Sequence, residues 1–244
     1  MSARIAVVGG TGKTGRAVCA ALQGSGADAV PLGRSAWIDL AGALTGCDAA
    51  YVIAPNMHAD EAAYTEAVVT AAQRAGLTRL VLHSVASPYV PAMPHHVGKA
   101  QAEDVVRRSG LDWSILQPGV YVQNFAPGTT VRLPYRAEAS FGFADLDDVA
   151  LVAARVLLER GHQGATYELA SFRATVGELA RSLGSRVEVV RPRQWAAAEG
   201  KGLEPRVRDW LLEMFAYYDR HGLPVGTLPM RVLLERAPRA LVRT

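Results

Sequence analysis

The stretch RIAVVGGTGKTGRAVCAAL, residues 4–22, decides the fold. Ile5 to Val8 is a short apolar run rich in β-branched residues, which reads as a buried parallel strand. Gly9, Gly12 and Gly15 follow in G-x-x-G-x-x-G spacing, and the apolar positions Val18, Ala21 and Leu22 then repeat with a helical period. Strand, glycine turn and helix in that order build a phosphate site. Gly9 permits the tight turn, Gly12 lets backbone approach a pyrophosphate, and Gly15 lets the helix pack on the strand. The anion then rests on the helix N-terminus, where free N–H groups and the dipole favour it. Thr11, Lys13 and Thr14 complete the expected cofactor-binding loop. Gly12-Lys13-Thr14 also resembles the end of a nucleotide-triphosphate loop, but that motif requires a glycine where Val7 stands.

The next strand is expected at Ala27–Leu32, and the residue just past it selects the dinucleotide. A carboxylate there holds the ribose hydroxyls of NAD. This chain has Gly33-Arg34 instead, with Arg34 placed 19 positions after Gly15. A guanidinium forks onto a 2′-phosphate, so the reading favours NADP(H). The alternative is a solvated surface arginine. Asp39 is read as an adenine contact and Ala54 as part of the cofactor wall.

Composition narrows the classes. Half of the 244 residues are apolar and 20% are charged, the balance of a soluble globular chain. The net charge of +3 and the lack of a basic run give no footprint for nucleic acid. No apolar run reaches the ~18 residues of a spanning helix, so no membrane partner is expected. No signal-peptide pattern precedes the first strand. Cys19 and Cys47 stand alone, outside any metal or C-x-x-C spacing, and the six histidines form no metal cluster. A cytoplasmic setting is expected.

Strands and helices alternate through residue 125. Strands are expected at 37–40 (WIDL), 49–55, 79–84 and 112–118, with helices at 60–75 and 98–109. Tyr64, Val68, Ala71 and Ala75 share one face of the first helix, and Gly76 ends it. This predicts an α/β doubly wound parallel sheet with ligands at the carboxyl ends of its strands. Ser84 and the 118–125 segment then flank the site. Beyond residue 125, helix 146–159 returns to the core. The segments ATYELA and VEVV read as short strands, and 203–218 reads as an amphipathic helix. The expected division is a Rossmann-type core over 1–125 and a small α/β substrate lobe over 126–244.

The segments VVGGTGKTGR, LVLHSVAS, HHVGKAQAEDVVRRSGLDWSILQPGVYVQNF and FADLDDVALVA together resemble an atypical short-chain dehydrogenase/reductase. The nearest branch is the NmrA-like group, which includes quinone and azo reductases and redox-inactive regulators. RAPRALVR near the end is similar to that branch's C-terminal tail. The resemblance implies a Rossmann core, a small substrate lobe and a preference for NADP. The wider superfamily uses Tyr-x-x-x-Lys, the Tyr giving a proton to a carbonyl oxygen. Here Lys99 is kept but His95 stands at the Tyr position, a spacing that is common in the NmrA-like branch. Ser84 matches the superfamily's active-site Ser or Thr.

The catalytic candidates are therefore Lys99, His95 and Ser84. Lys99 holds the nicotinamide ribose or lowers the pKa of a nearby donor. Four-residue spacing puts His95 on its face if a helix begins by then, though the prolines of SPYVPAMPHH also allow a loop histidine. His95 is suited to give a proton near neutral pH. Ser84 bonds a substrate oxygen or only satisfies backbone. Tyr121, Asn124 and Phe125 line the substrate pocket, and Tyr89 is a remoter donor. The leading expectation is an NADPH-dependent reductase of a small conjugated or carbonyl-like electrophile such as a quinone, enone or imine. A redox-inactive NADP(H) sensor and a non-redox catalyst stay open beside it. The expected partner is a small-molecule substrate, and assembly into a homo-oligomer is undecided.

Overall fold

A computed structural model describes residues 2–240. Its elements in chain order are β1 (Arg4–Val8), α1 (Lys13–Gly24), β2 (Asp28–Leu32), α2 (Leu40–Leu44), β3 (Ala49–Val52), α3 (Glu61–Arg74), β4 (Arg79–His83), α4 (Pro94–Arg107), β5 (Asp112–Pro118) and β6 (Val120–Tyr121). There follow β7 (Thr130–Leu133), β8 (Ser140–Ala144), α5 (Leu146–Leu158), β9 (Ala165–Leu169), β10 (Phe172–Thr175), α6 (Val176–Ser182), β11 (Arg186–Val189), α7 (Pro192–Ala197), α8 (Pro205–His221) and α9 (Leu228–Leu234).

Six strands form one parallel sheet in the order β2-β1-β3-β4-β5-β9. Their apolar residues face both sides because helices cover both faces. On one side α1, α5 and α9 pack on Val7, Tyr51, Val81 and Leu116. On the other, α2, α3 and α4 pack on Val8, Val52, Leu82 and Ile115. Successive strands lie on opposite sides of β1, so the order reverses between β1 and β3. The crevice for a ligand opens at the carboxyl ends of those two strands. This is the expected doubly wound Rossmann-type sheet.

The stretch WIDL is not a strand. Arg34–Ile38 is a short 3-10 helix, and Asp39 caps α2 by accepting from Gly42 N at 2.9 Å. A short side chain that bonds backbone three residues on favours a helix start over an extended chain. Ile38 is 92% exposed, so its hydrophobicity carries no burial signal. A second difference concerns α4, which begins at Pro94 rather than at 98. Proline fits the first helical position because its missing N–H is not needed there.

The remaining elements build a smaller unit from the sheets β10-β8-β6 and β11-β7. Its core joins Phe125, Tyr135, Phe141, Phe143 and Tyr218. Beyond the expected return of α5, strand β9 and helix α9 also join the first unit, as β9 pairs with β5 and α9 packs on α5. The end of the tail motif, residues 241–244, lies outside the described residues. Among the described residues no helix is long and apolar enough to cross a membrane.

Candidate active site

The glycine loop is shaped by contact with its neighbours. Gly9 has φ +82°, and a Cβ there would lie 2.7 Å from Ile53 O at the end of β3. A Cβ on Gly15 would lie 2.2 Å from Gly9 O, so α1 seats directly on the loop. Gly12 differs, because its Cβ would meet nothing nearer than Gly9 O at 3.4 Å. Its bare side faces outward, where a ligand approaches. Gly12 caps α1 with no side-chain bond, and no acid stands in the first turn, so the N–H groups there remain for an anion. Thr11, Gly12 and Lys13 are exposed and Thr14 is half-buried. These features fit a pyrophosphate.

Arg34 is exposed at the end of β2, and among the described residues no hydrogen bond or ion pair engages its guanidinium. Asp39 holds the turn into α2. Ala54 is buried just past β3. Lys13 Nζ donates to Gln123 O at 2.9 Å, which ties the phosphate loop to the segment after β6. Gln123 in turn donates to Asp145, the N-cap of α5, at 2.9 Å.

Lys99 and His95 lie on the first two turns of α4, both buried. Lys99 Nζ pairs with Glu61 Oε2 at 2.7 Å and sits 3.5 Å from His83 O at the carboxyl end of β4. His95 Nδ1 stands 3.4 Å from Glu61 Oε1, and neither atom has a hydrogen-bond partner. Burial raises the Glu61 carboxyl, while the Lys99 charge opposes that rise. Burial and the Lys99 charge push the His95 imidazole down to about 3, so the ring is uncharged at neutral pH. That removes the expected ground for a His95 acid near neutrality.

Ser84 is buried just past β4. Its hydroxyl donates to Glu103 Oε1 at 2.5 Å. The same oxygen takes Gln117 Nε2 at 2.6 Å, and Arg107 binds the other oxygen at 3.0 Å. Glu103 is fully buried among these donors. Tyr89, 63% exposed, completes this cluster through Arg107 at 2.8 Å.

A second buried chain runs through three strands. Tyr51 Oη meets His83 Nδ1 at 2.6 Å, and His83 Nε2 meets Tyr121 Oη at 3.2 Å. Burial pushes His83 down to about 3 and raises the Tyr121 phenol well above its usual range. The Thr14 side chain hydrogen-bonds Tyr121 and opposes that rise, linking this buried chain to the phosphate loop. Tyr51 is fully buried, and His83 is the partner shown for its hydroxyl. A phenol hydrogen given to Nδ1 leaves the other ring hydrogen on Nε2, pointing at Tyr121. Asn124 is exposed beside this segment, whereas Phe125 is buried edge-on against Phe143 at 5.8 Å. Phe125 thus contributes to the core of the smaller unit.

The sequence reading missed Glu61, His83 and Glu103. Glu61 follows the Asp60 cap and reads as an ordinary first-turn acid. Only the packing of α3 on α4 buries it. His83 had a usable signal, a polar residue closing an apolar strand at the ligand edge.

A family described as NAD(P)H-binding matches residues 34–160. The chain belongs to that NAD(P)H-binding family. Its glycine loop lies ahead of the matched stretch, so the sequence and the geometry above support that part of the site independently. The NAD(P)H azoreductase of Xenophilus azovorans is 26% identical over 193 residues, 72% of this chain and 67% of the relative. The (4-alkanoyl-5-oxo-2,5-dihydrofuran-3-yl)methyl phosphate reductase of Streptomyces griseus is 29% identical over 212 residues, 74% of each chain. An Escherichia coli NADPH-dependent quinone oxidoreductase, solved with NADPH, superposes with a TM-score of 0.81 at 22% identity. That likeness covers 97% of this chain and 96% of the other, and it establishes the fold. The expected NAD(P)H-binding family is borne out by the matched stretch, and the fold expected of the NmrA-like branch by the superpositions.

Proposed function

We propose that this NAD(P)H-binding protein is an NADPH-dependent reductase of a small conjugated or carbonyl-like electrophile, such as a quinone, enone or imine. The observation that carries the reading is the buried Lys99–Glu61 pair at the carboxyl edge of β4, beside the crevice. Burying two charges is unfavourable unless they serve each other closely, and a held positive charge at this edge suits a site where negative charge develops on an acceptor. The names of the two curated relatives, an azo and an oxo-dihydrofuran reductase, support the reaction class.

Gly9, Thr11, Gly12 and the first turn of α1 would hold the pyrophosphate, and Arg34 the 2′-phosphate. The chemistry supplied at the site by a bound reduced nicotinamide is hydride. Lys99 presents a positive charge where the reduced acceptor gains negative charge. Acceptors that delocalise this charge suit a site without the superfamily Tyr. Tyr121, directed by His83, places a hydroxyl at the pocket wall. The substrate would lie between the 120–125 segment and the loops after β3 and β4, at the carboxyl edge of the sheet.

The second reading, a sensor without turnover, draws on one observation: His95 is held neutral at the Tyr position and Ser84 is bound inward. NADPH oxidation followed with a panel of quinones, enones and imines separates the two. Turnover with any acceptor supports the reductase. Tight NADPH binding with no oxidation across the panel would overturn it in favour of the sensor.

A further inference from the structure

The chain has three lysines, and Lys13 and Lys201 are exposed while Lys99 is 7% exposed. The groups around Lys99 come from several elements. Helix α3 supplies Glu61 and, one turn on, Thr65, whose hydroxyl is buried without a partner. Helix α4 itself supplies His95 and His96, and β4 supplies His83. His58 and Tyr64 bear on Glu61 from the same side, and Arg206 of α8 reaches Met57 O nearby at 3.0 Å. Among these described groups Glu61 is the acid that pairs with Lys99, and the next turn of α4 brings a second buried acid, Glu103, whose oxygens take Ser84, Gln117 and Arg107. The imidazoles of His83, His95 and His96 are neutral at pH 7, and the Lys99 charge helps to keep them so.

We propose that Glu61 is a positioning residue, whose buried carboxylate keeps the Lys99 ammonium charged and fixed at the carboxyl edge of β4. An ammonium left in such a site without a counter-charge gives up its proton. One Glu61 oxygen accepts from Lys99, and the other stands 3.4 Å from His95 Nδ1 without a hydrogen bond, so the carboxylate lies against both members of the His-x-x-x-Lys pair while fixing only Lys99. The consequence for turnover rests on the reductase reading above, whereas the charge state of Lys99 does not.

The test reads Lys99 directly. Protein carrying 15N-lysine gives three side-chain signals, which Lys99→Arg assigns by loss of one. With pH varied, Lys99 in Glu61→Gln is expected to lose its proton at least one pH unit lower than in the native protein, a tenfold change. Glu61→Asp should recover most of the difference, and Lys13 and Lys201 should not move. An identical Lys99 titration in Glu61→Gln overturns the proposal. If that variant does not fold, Lys99→Met gives the reciprocal measurement. The Glu61 carboxyl, followed by 13C, should then titrate higher than in the native protein, and no change would overturn the proposal. Where turnover is found, the alkaline fall of kcat in Glu61→Gln should begin at a lower pH than in the native enzyme, by the same interval as the Lys99 titration, with KM for NADPH little altered. A uniform loss across pH would mark a merely structural residue. Absence of turnover with every acceptor would count against the reductase and leave the lysine titration to decide.

Discussion

Arg34 and the loop glycines show how a single residue's surroundings set its use. Arg34 is exposed and unengaged in its own fold. Arg34→Ala should therefore leave stability unchanged while removing one charge-assisted contact to a 2′-phosphate, worth roughly 1.5–3 kcal/mol. Fluorescence titration should show NADPH binding weakened about tenfold or more and NADH binding nearly unchanged. Equal losses for both would detach Arg34 from the phosphate. Gly12 and Gly15 look alike in sequence but differ in space. Gly12→Val should abolish dinucleotide binding with a near-native melting temperature, because its added atoms face outward. Gly15→Ala should instead lower stability by about 1–3 kcal/mol, since its Cβ would meet Gly9 O at 2.2 Å. Thermal melts beside binding titrations check both. The motif was legible at these positions, but their division of labour was not, because it depends on what each glycine touches.

At the scale of an element, α4 concentrates the unusual titration of the chain. It carries His95 and His96, and β4 adds His83 against it. Unfolded imidazoles titrate near 6.5. Burial holds His83 and His95 at about 3 and His96 at about 4. The unfolded chain then binds more protons between these values, so stability is greatest above about 6.5 and declines as pH falls toward 4 and 3. Each group contributes a slope of up to about 1.4 kcal/mol per pH unit in that window. Denaturant melts at pH 7, 6 and 5 should show the midpoint falling, and His96→Asn should flatten the fall. A midpoint independent of pH would mean that these imidazoles are solvated. The sequence showed a helix here but started it at 98, because Pro94 reads equally as loop or first turn. Docking against α3 and β4 chose the helix and so put His95 and Lys99 on consecutive turns.

Across the whole molecule, the C-terminal segment fastens the site from behind. Asp148 of α5 is fully buried and takes Arg236 Nη2 at 2.8 Å, Arg239 N at 2.7 Å and Ser171 Oγ at 2.9 Å. Asp145, one turn earlier, bonds Gln123, which receives Lys13 of the phosphate loop. Arg236→Ala should remove a partner from a buried carboxylate and lower stability by about 1–2 kcal/mol, with half of Arg236 in solvent limiting the loss. Urea unfolding measures it, and an unchanged midpoint would make the tail contact incidental.

The sequence by itself determined the strand, glycine loop and helix of residues 4–22, the alternation through β5 and the place of Lys99 in a family pattern. These signals are local: apolar period, turn residues and caps act within a few residues of one another. WIDL misled because Ile38 is exposed and Asp39 caps a helix there, so the apolar residues on either side do not make a strand. Tertiary structure alone decided that Glu61 meets Lys99, that Glu103 takes the Ser84 hydroxyl and that His83 joins Tyr51 to Tyr121. Those pairs come from different elements, and their side chains acquire new charge preferences only after packing removes water from around them.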